Sequence, residues 1–68
     1  MSAKNVGAPV VISLTVPEAA RAVGMSRRYL DYAIERGDLI AKKAGRKVLV
    51  GVDDLRDWFE ALPAREAS

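Results

Sequence analysis

The spacing of apolar and polar positions changes repeatedly along this chain, and each change predicts an element. Residues 1–8 show no periodicity and are expected to form a flexible tail. Pro9 then leads into Val10-Val11-Ile12-Ser13-Leu14, a β-branched run that predicts a short strand. Thr15-Val16-Pro17-Glu18 has the composition of a helix start. A Thr hydroxyl can accept the N–H three residues on, Glu18 can reach back to Thr15, and a proline in the first turn gives up only a donor that would be unpaired anyway. Ala19, Ala20 and Val23 supply one apolar face, and Gly24 predicts a left-handed cap. Only Met25 separates that glycine from Ser26, the N-cap of a second helix over Arg27 to Arg36. Leu30, Ala33 and Ile34 are its inward side, and Gly37 closes it. The period then shortens. Leu39 to Lys43 and Lys47 to Val52 read as two strands around Ala44-Gly45-Arg46, a hairpin whose glycine can take positive φ. Asp53 and Asp54 suit the positive end of a last helix. On it Leu55, Trp58, Phe59 and Leu62 recur at three and four residues before Pro63, and residues 63–68 are expected to fray.

These elements fit one domain over residues 9–62, mainly α with a small antiparallel β wing. Val48, Leu49, Val50 and Val52 are apolar on both faces of one strand, so the face carrying Leu49, with Ile40 near it, needs a cover. The run ending at Ile12 is the candidate, either as a third strand formed by residues 9–13 against the hairpin or as a contact with another copy. Trp58 and Phe59 are expected to fill the core rather than to stack on bases.

Composition removes whole classes of chemistry. The 68 residues include no cysteine and no histidine, which excludes disulfides, thiolate sites, Cys/His zinc sites and Ser-His-Asp triads. Asp53, Asp54, Asp57 and Glu60 read as helix-start and solvent-facing charges, so no catalytic residue, metal site, cofactor or small-molecule ligand is expected, and the chain is not expected to be an enzyme. The longest undiluted apolar stretch, Val10 to Ile12, is far too short to span a membrane, and no signal peptide is expected. The net charge is only +2, yet it is unevenly placed. Residues 21–47 carry eight basic and three acidic side chains, whereas residues 48–68 carry two basic and five acidic ones. A basic middle with an acidic end suggests a surface aimed at a polyanion.

Two helices joined by a three-residue turn form a helix-turn-helix, in which the second helix reads DNA near its N-terminus. Here that helix opens with Ser26-Arg27-Arg28-Tyr29, and Tyr32 lies one turn on. Arginine is the best bidentate reader of guanine and binds phosphate equally well, and tyrosine hydroxyls can donate to phosphate. Asp31 and Glu35 share the outward side and repel phosphate, so the N-terminal half of this face is expected to lie nearest DNA. The hairpin tip is the second contact, with Lys42, Lys43, Arg46 and Lys47 clustered around Gly45. A domain of this size covers only about 600–1,000 Å² of DNA, so cooperative contact between neighbouring copies is expected.

The runs Leu14-Thr15-Val16-Pro17-Glu18-Ala19-Ala20, Val23-Gly24-Met25-Ser26-Arg27-Arg28, Arg36-Gly37-Asp38-Leu39, Gly45-Arg46-Lys47 and Asp53-Asp54-Leu55-Arg56-Asp57-Trp58-Phe59 together resemble the winged helix-turn-helix module of the excisionase and MerR-like superfamily. Within it the chain looks most like the small phage excisionases, the recombination directionality factors of actinobacterial (mycobacterial) temperate phages. The resemblance implies a protein that binds repeats in attachment-site double-stranded DNA, stacks copies head to tail, bends the DNA and directs a tyrosine integrase toward excision. It places Arg27, Arg28, Tyr29 and Tyr32 on the recognition helix and Lys43, Gly45, Arg46 and Lys47 on the wing. The long dimerisation helix and effector domain of MerR-type regulators have no counterpart here, and Lys42 stands where the module often has an apolar residue. The implied location is the cytoplasm of a bacterial host, on the nucleoid. The alternatives are a small phage repressor or activator using the same module, and an adaptor whose basic face docks an acidic protein.

Overall fold

The computed structural model describes residues 11–65, over which the chain runs β1 (Ser13–Thr15), α1 (Val16–Val23), α2 (Arg27–Arg36), β2 (Lys42–Ala44), β3 (Lys47–Gly51) and α3 (Val52–Glu60). Three helices and a three-stranded antiparallel sheet of order β1-β3-β2 make a winged helix-turn-helix. The expected tail over residues 1–8, and Pro9 and Val10 of the expected strand, lie outside the described residues.

The two helices of the motif are cut to length by their ends. The Thr15 hydroxyl accepts the Glu18 N–H at 3.3 Å and the Glu18 carboxylate accepts the Thr15 N–H at 2.9 Å, a reciprocal capping box. At the other end Gly24 takes φ +74°, where a side-chain-bearing residue is strained. Its N–H reaches the Arg21 carbonyl and the Met25 N–H reaches that of Ala20, satisfying carbonyls that the helix leaves unpaired. The same closure recurs after α2, where Asp38 and Gly37 donate to Ala33 and Ile34. Gly24, Met25 and Ser26 are thus the whole connection, and the half-buried Met25 fastens it to the core.

Because the Glu18 carboxylate accepts the Thr15 N–H at the cap, it is held below its ordinary value of 4.5, chiefly by that backbone hydrogen bond and then by the Thr15 side chain, with Arg21 and Lys47 adding attraction. A depressed folded value contributes stability that is present above the ordinary value and lost as pH falls through the folded one. Melting curves from about pH 6 to about pH 3 should therefore show Glu18→Gln less stable than the parent near neutrality, with the gap closing in acid. A gap that stays constant across that range would refute the linkage.

The sheet departs from sequence expectation in its register. β1 pairs with β3 through Ser13↔Gly51, Leu14↔Val50 and Thr15↔Leu49, and the ladder extends to Ile12, whose carbonyl accepts the Val52 N–H at 3.0 Å. The third strand expected against the hairpin is therefore present, with its paired residues at Ser13–Thr15, overlapping the C-terminal end of the expected run. Val11 and Ile12 are 55% and 76% exposed. Leu49 instead lies between its cross-strand neighbours Thr15 and Lys42 and is half-buried, while Ile40 stays exposed. Val52 is not in the strand at all but opens α3. The wing turns on two residues, Gly45 and Arg46, and only Gly45 has positive φ (+64°), the pattern of a type II′ turn.

The core is built where the helices meet the inner sheet face. Leu30, Leu39 and Val50 are its fully buried large side chains, surrounded by Val16, Ala19, Ala20, Ala33, Leu55 and Trp58. Trp58 is core, as its spacing predicts. Phe59 is not: it is about half exposed, because successive helical residues lie about 100° apart and the core takes the side of Leu55 and Trp58.

Candidate nucleic-acid interface

Ser26 caps α2 through its hydroxyl oxygen, which accepts the Tyr29 N–H at 3.2 Å. This cap fixes the start of α2, and with it the directions of the next side chains. Leu30 and Ala33 point into the core, and Arg27 and Arg28 stand exposed. Arg27 leans to the flank that faces the wing. It lines a cleft of about 270 Å³ together with Arg46 and Lys47 of the wing and with Thr15, Val16 and Pro17 at the head of α1. Residues roughly 20 positions apart in the chain thus place their positive charges around one hollow, on one side of the molecule.

The remaining candidates divide. Arg28 lies about 100° further round α2, directed away from the core. Tyr32 is exposed on the outer face one turn later, with the Arg36 guanidinium 5.4 Å from its ring centre. Arg36 also pairs with Asp38 at 3.4 Å. Tyr29 sits on the flank opposite Arg27, its ring 6.2 Å from that of Trp58 and tilted by 47°, so it braces α2 against α3 and is separated from the wing cleft. On the wing, the pairs Lys42↔Leu49 and Lys43↔Val48 put the two lysines on opposite faces of the hairpin. Lys42 and Lys47 share the face of Leu49, and Lys43 shares that of Val48, so the three wing lysines divide between two faces, with Arg46 in the turn.

Sequence reasoning missed the wall of this cleft. Thr15-Val16-Pro17 read as a helix start and nothing more, because only the β1–β3 pairing brings α1's first turn beside the wing. It also missed that Asp31 is paired with Arg27, Oδ2 to Nε 3.7 Å, though the four-residue spacing carries that signal.

A second cleft is lined by acidic side chains instead. Asp38, Asp54 and Asp57 rim a cleft of about 460 Å³ floored by Ile40, Trp58 and Leu62. A polyanion is repelled there and attracted at the α2–wing side. Among the described residues no helix is long and apolar enough to cross a membrane.

No curated protein and no solved structure matches this chain. A family model does: that of the helix-turn-helix domain, over residues 13–63, which takes in every helix and strand described above. That match covers three quarters of the chain, which belongs to the helix-turn-helix domain family of DNA-binding proteins.

Proposed function

We propose that the protein is an excisionase-type accessory factor. In this reading it binds repeats in phage attachment DNA, bends them, and directs a tyrosine integrase toward excision, with no chemistry of its own, in the cytoplasm of the host. The observation that carries its DNA-binding part is the shared cleft of Arg27, Arg46 and Lys47. A duplex that seats α2 in its major groove meets the wing on the adjoining backbone or minor groove. The excisionase part is supported by the resemblance of the sequence to small phage excisionases and by the polarity of the molecule. A basic α2–wing side and an acidic α3 side let one copy meet the next with unlike charges facing, a heterologous contact that need not close into a ring.

The test is an excision reaction with the cognate integrase and paired attachment sites, with and without this protein. Stimulation of excision, with a laddered footprint over repeated sites, is the expected result. No stimulation, with one discrete footprint at a promoter, would transfer the assignment to a small transcriptional regulator.

A further inference from the structure

Asp31 sits where a surface meant for phosphate has no electrostatic use for a carboxylate. It follows Arg27 by four residues on the wing-facing flank of α2, and its Oδ2 lies 3.7 Å from Arg27 Nε. Both side chains are largely open to solvent, 67% for Arg27 and 49% for Asp31, and an exposed pair of this kind contributes little to folding. Its order along the helix, cation before anion, is also the less favourable one. Stability therefore gives no account of Asp31. Its position does, because Arg27 is the α2 member of the cationic cleft, and Asp31 is the anion paired with it.

We propose that Asp31 is a specificity-determining residue that acts through Arg27. The carboxylate tethers the guanidinium along α2 and withholds it from indiscriminate phosphate contact, which lowers affinity for arbitrary duplex more than for a preferred site. This rests on the DNA-binding reading of the α2–wing face. An arginine released from the tether adds about one phosphate contact and displaces about one more counterion. Binding then strengthens in low salt and weakens faster as salt rises, whatever the sequence.

The experiment compares the full chain with Asp31→Asn, Asp31→Glu, Arg27→Ala and the double variant Arg27→Ala/Asp31→Asn. Fluorescence anisotropy is followed on a random-sequence duplex and on a duplex enriched from a randomised pool by the parent protein, with folding checked by circular dichroism. Asp31→Asn should bind the random duplex about three- to tenfold tighter in low salt and steepen the log K against log salt slope by about 0.9. It should also narrow the ratio between the enriched and random duplexes. Asp31→Glu, which keeps the charge, should retain the parent slope, and in the Arg27→Ala background the Asn substitution should change neither slope nor ratio. A gain of equal size with and without Arg27 would show a plain like-charge repulsion and overturn the proposal, as would an Asn variant that behaves like the parent. A parent protein that binds neither duplex would overturn the DNA-binding reading itself, an outcome the same titrations distinguish.

Discussion

Leu30→Ala is expected to remove a large share of the domain's stability. Leu30 has no exposed surface and is a large buried side chain of the core cluster, on the helix that packs against α1. Truncating a buried leucine costs about 2.7–5 kcal/mol, and the upper part of that range applies where the surroundings cannot close the void. Here they cannot, since Ala19, Ala20 and Ala33 are among the buried residues of the same core and have no side chain to swing inward. A chain of this length has a total stability of about 3–10 kcal/mol. With each kcal/mol worth about 4–8 °C in a domain this small, the melting temperature should fall by more than about 10 °C or the cooperative transition vanish. Leu30→Met, which keeps volume, should cost under about 1.5 kcal/mol. A loss below about 5 °C in the alanine variant would mean that the core is not centred on α2.

Arg28→Ala is expected to weaken DNA binding by about 1–3 kcal/mol and to relax preference at one base pair, because Arg28 is the arginine directed outward at the head of α2. Lys47→Ala should behave differently. Lys47 lies on the wing side of the cleft, where a lysine acts as a point charge toward phosphate. Its removal should lower affinity for all sequences alike and make the salt slope shallower by about 0.9. Titrations on a set of duplexes changed one base pair at a time separate the two patterns. Uniform weakening by Arg28→Ala would place that side chain on the backbone instead of a base edge.

What could be read from the sequence was what local chemistry decides. The capping box of Thr15 and Glu18, the Ser26 cap, the glycine closures at 24 and 37 and the turn at Gly45 each depend on residues within a few positions of one another, and all are present. What failed depended on distant partners. The run Val10 to Leu14 correctly suggested a strand against the hairpin, but the pairing expected over residues 9–13 lies further along. The pairing is instead set by β3, together with a helix that must begin at Val16, and those two constraints place β1 at Ser13–Thr15. Trp58 and Phe59 both fit the apolar spacing of α3, but adjacent helical residues diverge, and only the packed structure shows that the core takes Trp58. Leu39 looked like strand chemistry and is instead a fully buried residue just past the α2 closure. The candidate site divided the same way. The residue types and the two elements bearing them were legible, whereas the division of the wing lysines between two faces and the separation of Tyr29 from the cleft are consequences of register and packing.

The brevity of α2 has a consequence for how much text one molecule can read. Ten residues make a rod of about 15 Å, which spans about four base steps at 3.4 Å each. A four-letter word recurs by chance about once in 256 positions, so a genome offering about 10⁶ or more sites holds thousands of copies. Selectivity at the scale of a genome must therefore come from punctuation: several such words set at a fixed interval, or one word beside the address of a second protein.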